Sequence, residues 1–212
     1  MKFENFYCLS IRQDRYSVLC KNFEKFGLPI PKMFEGFRCD EKAEKCCLFG
    51  HMSLIMMARA LDFPHIFIFE DDAYPRKDVV ERMSHYIDNR PANCGVLVLG
   101  RNGEAGPISR HGDYHIVVHR PFGAHAYLVY KSAYDEILSS MEKAKIADIA
   151  LKGENFTNVK PYWTNEYLFI QKNMDNNCMS KGLVNKYGMY FYPAPNGGLG
   201  VHRHLPMDGK WE

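Results

Sequence analysis

Apolar and polar positions alternate along this chain in a way that divides it into short strands and amphipathic helices. Asn5–Ile11 is a mostly apolar run of strand character, followed by the polar turn Arg12-Gln13-Asp14-Arg15. Val18, Leu19, Phe23 and Phe26 then recur near helical spacing, predicting a helix from about Arg15 to Phe26, capped by Asp14 and ended by Gly27. A break at Leu28-Pro29-Ile30-Pro31 precedes a short strand at Lys32–Gly36, and the charged stretch Phe37–Lys45 reads as loop. Cys47, Leu48, His51, Leu54, Ile55, Ala58 and Leu61 mark an amphipathic helix over Cys46–Leu61. It leads through Asp62-Phe63-Pro64 into His65-Ile66-Phe67-Ile68-Phe69, an apolar run suited to a strand buried on both faces. A helix feeding a buried strand is the second half of a βαβ unit.

The second half continues the alternation less regularly. The pattern predicts a helix at Lys77–Asn89, a buried strand at Gly95–Leu99, and a loop from Gly100 to Gly112 with four glycines and a proline. Strands are expected at Tyr114–His119 and Ala124–Tyr130, and a helix at Ser132–Met141. Ile146–Lys160 shows no decided period. Thr164–Asn173 reads as a helix capped by Thr164, Tyr187–Tyr192 as a last strand, and Pro193–Glu212 as an irregular tail. With no repeat and no linker, residues 1–212 are expected to form a single α/β domain, a Rossmann-type mixed sheet with helices on both faces.

Composition narrows the function classes. At 212 residues, with 46% hydrophobic and 25% charged positions, the chain has enough apolar material for one sizeable core. The net charge of +2 gives no polyelectrolyte signal, so nucleic acid is not an expected partner. No apolar run approaches the ~18 residues of a membrane span, and no cationic leader precedes the first strand. Seven cysteines without a CxxC pair fit reduced thiols, which points to the cytoplasm.

The chemistry concentrates where the apolar strand ends in Glu70-Asp71-Asp72. Three adjacent carboxylates repel one another unless a positive group sits among them, and open α/β sheets bind ligands at the carboxyl ends of their strands. A divalent cation with a phosphorylated substrate is therefore expected there, the simpler alternative being an acidic loop that caps the next helix. Continued strand alternation would put Glu70 and Asp72 on one face as an acid-x-acid pair able to hold Mg²⁺ or Mn²⁺, with Asp71 pointing away. Arg12 and Arg15, just past the first strand, are candidates for phosphate or base contacts. His51 lies on the apolar stripe of its helix, where a satisfied core histidine is the simpler reading.

Four short motifs in order resemble glycosyltransferase family 25, the lipooligosaccharide-type galactosyltransferases of lipopolysaccharide biosynthesis. They are Leu9-Ser10-Ile11-Arg12-Gln13-Asp14-Arg15, Cys46-Cys47-Leu48-Phe49-Gly50-His51, Ile66–Asp72, and Gly123–Val129 running into Lys131-Ser132-Ala133. The resemblance spans Tyr7 to Tyr192. It implies a GT-A-like fold with a donor half (1–100) and an acceptor half with tail (101–212). It further implies a UDP-sugar donor, Mn²⁺ or Mg²⁺, and transfer of galactose or a related hexose to a glycan hydroxyl. On that implication Ser10, Arg12, Arg15, His51 and Asp71 face the donor, and Glu70, Asp72 and a C-terminal histidine, His202 or His204, hold the metal. Two positions depart from the family pattern: Gly50 stands where a Ser usually precedes the His, and Pro161–Glu166 replaces a Pro-x-Asp segment.

An inverting transfer needs a carboxylate to take the acceptor's proton. Glu166 is the first candidate and Asp148 the second, while an acid near a helix start is also favoured by the helix dipole alone. Two other readings stay open. One is a non-catalytic glycan- or nucleotide-binding module of the same fold. The other is a metal-dependent phosphoesterase or nuclease, which usually needs a second acidic cluster that this sequence lacks.

Overall fold

The computed structural model describes residues 3–38, 43–100, 103–105, 108–118, 120–171, 189–193 and 199–203. Strand β1 (Phe6–Ser10) leads to helix α1 (Gln13–Lys25), then to β2 (Lys32–Glu35), α2 (Ala43–Ala60) and β3 (His65–Glu70). After a turn at Asp71-Asp72 come β4 (Ala73–Pro75), α3 (Val79–Asp88) and β5 (Cys94–Gly100). Next are β6 (Gly103–Ala105), β7 (Ile108–His111), β8 (Tyr114–Val117), β9 (Arg120–Phe122) and β10 (Ala126–Tyr130). Helices α4 (Tyr134–Lys143) and α5 (Ala147–Ala150) precede β11 (Lys160–Thr164), β12 (Phe169–Gln171), β13 (Met189–Pro193) and β14 (Leu199–Arg203).

The main sheet runs β2-β1-β3-β10-β5-β11-β8-β7, with β12 bridging β4 and β5. β1 is parallel to both β2 and β3, whereas β10 runs antiparallel to its neighbours β3 and β5. The sheet is mixed, as the pattern predicts, and β10 from the second half inserts between two strands of the first. One apolar cluster packs α2, α4 and α5 residues such as Leu54, Ile55, Ile137 and Ala150 on one face of the sheet. On the other face Leu19 and Phe23 of α1 and Met83 and Ile87 of α3 pack with Phe67 and Phe69 of β3. β3 is thus buried on both faces, which is why its sequence shows no alternation.

Four expectations need correction. Over its described part, Thr164–Gln171, the expected helix Thr164–Asn173 is not one: β11 ends at Thr164 and β12 follows after a turn, because Leu168 and Phe169 are wholly buried against the sheet and their backbone pairs with β5 and β4. The expected loop Gly100–Gly112 contains β6 and β7: β6 pairs with β9 further downstream, and β7 forms a hairpin with β8 across Gly112-Asp113. The tail after Pro193 contains β14, paired antiparallel with β13. Asp14 does not cap α1; Arg12 occupies the cap position, and its guanidinium grips Asp14 in the first turn at 2.6 Å.

Cysteine chemistry differs too. Cys8, Cys20, Cys47 and Cys94 are not in disulfides, but Cys46 is disulfide-bonded. The premise of uniformly reduced thiols does not hold at that position.

Candidate functional site at the carboxyl end of β3

The parallel register of β1, β2 and β3 brings their carboxyl ends together. Ser10 lies opposite Glu35, Leu9 lies opposite Glu70, and the Gly36 N–H donates to the Ser10 carbonyl at 3.0 Å. From the other side the start of β10 closes on the same point, where the Glu70 N–H donates to the His125 carbonyl at 2.9 Å. Gly100 ends β5 against His125, so closely that a Cβ there would sit 2.6 Å from the ring nitrogen.

Within this crowded end the three carboxylates divide in a way that alternation does not predict. The strand stops at Glu70, and the turn that follows directs Asp71 and Asp72 together onto Arg15. Its Nη2 lies 2.6 Å from Asp71 Oδ1 and 3.2 Å from Asp72 Oδ2. Ser10 Oγ donates to Asp71 Oδ2 at 2.5 Å, and Gln171 Nε2 donates to Asp72 Oδ2 at 2.8 Å. Glu70 turns instead to α2, with Oε1 3.2 Å from His51 Nε2 and 3.8 Å from Cys47 Sγ. That turn corrects the expected isolation of Asp71 and gives Glu70 and Asp72 different nearest partners, while the charge of Glu70 still acts on Asp72.

The electrostatics follow the geometry. Burial opposes ionisation of Glu70, but the His51 hydrogen bond and the charges of His51, His125 and Arg15 outweigh it and hold the carboxyl below its ordinary value. Asp71 is raised, by burial first, with Ser10 and Arg15 opposing. Asp72 is pushed up to about 7 by burial and then by the charge of Glu70, against the pull of Gln171 and Arg15. Asp72 Oδ1 is buried and has no hydrogen-bond partner among the described residues. An unsatisfied buried acceptor costs about 1–3 kcal/mol, more when charged, and a cation at that oxygen would relieve it. Arg15 already offers a positive charge to both aspartates, and Asp72 Oδ1 is the carboxylate oxygen left open to a cation there.

Other expected site residues lie at varying remove. Ser10 and Arg15 join the cluster directly, and His51 joins through Glu70 while its Nδ1 meets the Tyr127 hydroxyl at 2.8 Å. Arg12 is held by Asp14 at the rim. Asp148 of α5 reaches the same end of the sheet, its Oδ1 accepting the Ala124 N–H at 2.7 Å. Burial, and then the charge of Glu70, push Asp148 up to about 6. Glu166 is not brought to the cluster: it sits in the turn between β11 and β12, bound by Arg76 Nη1 at 3.0 Å and by Arg82. His202 belongs to β14, whose side chains are not described, and His204 lies outside the described residues.

Gln171, Tyr127 and Cys47 join the site without having been expected there. Gln171 fell inside the wrongly expected helix and carried no signal of its own. Cys47 was legible, since it precedes His51 by four residues, the spacing that stacks two side chains on one helix face.

The fold has known counterparts. The crystal structure of a glycosyltransferase involved in the glycosylation of the major capsid of PBCV-1 matches with a TM-score of 0.53 at 13% identity, over 81% of this chain and 93% of that one. Mouse xyloside xylosyltransferase 1 in its apo form matches at 0.41 and 11% identity, over 84% of this chain and 89% of that one. HddC from Yersinia pseudotuberculosis matches at 0.34 and 16%, over 77% of this chain and 70% of that one. The chain has a GT-A-like fold, a mixed α/β sheet shared with the first of these glycosyltransferases. No family model and no curated protein matches it, so the likeness to glycosyltransferase family 25 rests on the four motifs alone.

Proposed function

We propose that the protein is a glycosyltransferase that takes a UDP-sugar, with galactose or a related hexose as the sugar, and passes it to a glycan hydroxyl. The observation that carries this reading is the Asp71–Arg15–Asp72 arrangement at the carboxyl end of β3, with an unpartnered buried carboxylate oxygen, on a GT-A-like fold. Mn²⁺ or Mg²⁺ bound there would neutralise the donor diphosphate and make it a better leaving group. Asp72 is the principal ligand in this reading. Arg15 holds the two aspartates in register and adds positive charge where the diphosphate lies, and Ser10 fixes Asp71.

Asp148 suits the base role better than Glu166. A carboxylate with a pKa near 6 is ionised at neutral pH yet basic enough to accept the acceptor's proton as its oxygen attacks the anomeric carbon. Glu166 has both carboxylate oxygens bound by guanidinium groups, of Arg76 and Arg82, and lies outside the cluster. The direct test is calorimetric titration of UDP with and without Mn²⁺. Metal-dependent UDP binding that Asp72→Ala abolishes is expected. Absent binding, or binding unchanged in that variant, contradicts the reading, and binding without sugar transfer favours a non-catalytic module.

A further inference from the structure

We propose that Cys47, His51 and Glu70 form a second cation site, for a thiophilic divalent ion of the zinc class, separate from the Asp71–Asp72 pair. Cys47 and His51 stand one helical turn apart on α2, and Glu70 closes the set from the end of β3. Their ligand atoms all lie within 4.8 Å of one another.

The spacing suits tetrahedral zinc. With Zn–N and Zn–O near 2.0–2.2 Å and Zn–S near 2.3 Å, the edges of the tetrahedron are about 3.4 Å from N to O and about 3.6 Å from S to O. The corresponding separations are 3.2 Å from His51 Nε2 to Glu70 Oε1 and 3.8 Å from Cys47 Sγ to the same oxygen. These two edges match within a few tenths of an ångström, and the third, between His51 and Cys47, is within 4.8 Å. Nitrogen, sulfur and carboxylate oxygen together select zinc over magnesium or calcium, which take oxygen.

A second observation lies outside the three ligands. His51 is wholly buried, and its Nδ1 is 2.8 Å from the Tyr127 hydroxyl, itself buried. When Nδ1–H donates to that oxygen, the Nε2 lone pair faces Glu70 and Cys47, the outer-shell arrangement that orients a metal-binding histidine. Binding releases the Cys47 thiol proton to solvent, and thiolate plus carboxylate balance the ion's two charges. Three protein ligands leave a fourth position for water, reached past Glu70, whose side chain is 23% exposed.

Cobalt titration of the chelator-treated full chain tests this without reference to sugar transfer. One equivalent of Co²⁺ is expected to give a thiolate-to-cobalt charge-transfer band with tetrahedral visible absorption, displaced by Zn²⁺. Cys47→Ser, checked for folding by circular dichroism, should lose the band. Asp72→Asn should keep it, which separates this site from the proposed donor metal. Tyr127→Phe should keep the band with affinity reduced about tenfold. Absence of a thiolate band in the wild type, or its persistence in folded Cys47→Ser, overturns the proposal. Should Cys47→Ser fail to fold, X-ray absorption of the zinc-loaded wild type decides: one sulfur with nitrogen and oxygen neighbours supports the site, and no sulfur or several sulfurs overturns it.

Discussion

At the scale of single residues, the site holds charge in places that do not favour the folded state. Asp72 ionises in water near 3.8 and in the folded chain near 7, so between those values the native state binds the extra proton. Stability of the metal-free protein should therefore fall as pH rises from about 4 to 7 and stay low above that. At about 1.4 kcal/mol for each pH unit of separation, Asp72→Asn should stabilise the metal-free protein at pH 8 by up to a few kcal/mol, read by urea denaturation. A variant less stable than the wild type would mean that ionised Asp72 is favourably held. Glu166 gives the opposite expectation. Arg76 is buried, with Asp78 and Glu166 as charged partners, so Glu166→Gln should destabilise by about 1–3 kcal/mol while slowing sugar transfer less than Asp148→Asn does. Denaturation together with turnover of both variants checks this, and a greater loss of transfer in Glu166→Gln would return the base role to Glu166.

At the scale of elements, α2 and β1 touch where Gly50 meets Leu9. A Cβ added at Gly50 would lie 2.6 Å from Leu9 Cδ1 and 2.9 Å from Cδ2, so a glycine suits this position because the leucine fills the space a side chain would need. Gly50→Ser should cost about 1–3 kcal/mol by overpacking, and Leu9→Ala should relieve part of it, a coupling that a double-mutant cycle of unfolding free energies measures. The same distinction between local and distant causes decides how much of the fold could be read in the sequence. β1, α1, β2, α2, β3, α3, β5, β10 and α4 were legible because each carries its own periodicity or an unbroken apolar run. β6 and β12 were not, since they are short segments fixed by partners that are not their neighbours in sequence, and β7 and β14, though each pairs with an adjacent strand, are too short to show a period. At the site, the acidic strand end and Arg15 were visible as charges out of place. The turn after Glu70 was not, and that turn decides which carboxylate faces which cation.

At the scale of the whole molecule, the carboxyl ends of β1, β2 and β3 meet the start of β10 and the end of β12, gathering Ser10, Glu70, His125, Asp148 and Gln171 from segments spread over 160 residues of sequence. Convergence of that kind makes this end of the sheet the candidate site, since open α/β sheets bind ligands at the carboxyl ends of their strands. The disulfide at Cys46 bears on the molecule as a whole as well. Thiol titration of the denatured, unreduced protein should find fewer than the seven cysteines of the sequence, and reduction should lower the melting temperature. The central claim is that the Asp71–Asp72 turn is a cation-dependent site for a nucleoside diphosphate. The most direct measurement is a crystal structure of the protein soaked with UDP and Mn²⁺, with anomalous data collected at the manganese edge. One strong manganese peak is expected in bonding contact with Asp72 and with the diphosphate, and Arg15 beside it. Manganese and UDP bound elsewhere, or an empty Asp71–Asp72 turn in a crystal saturated with both, would contradict it.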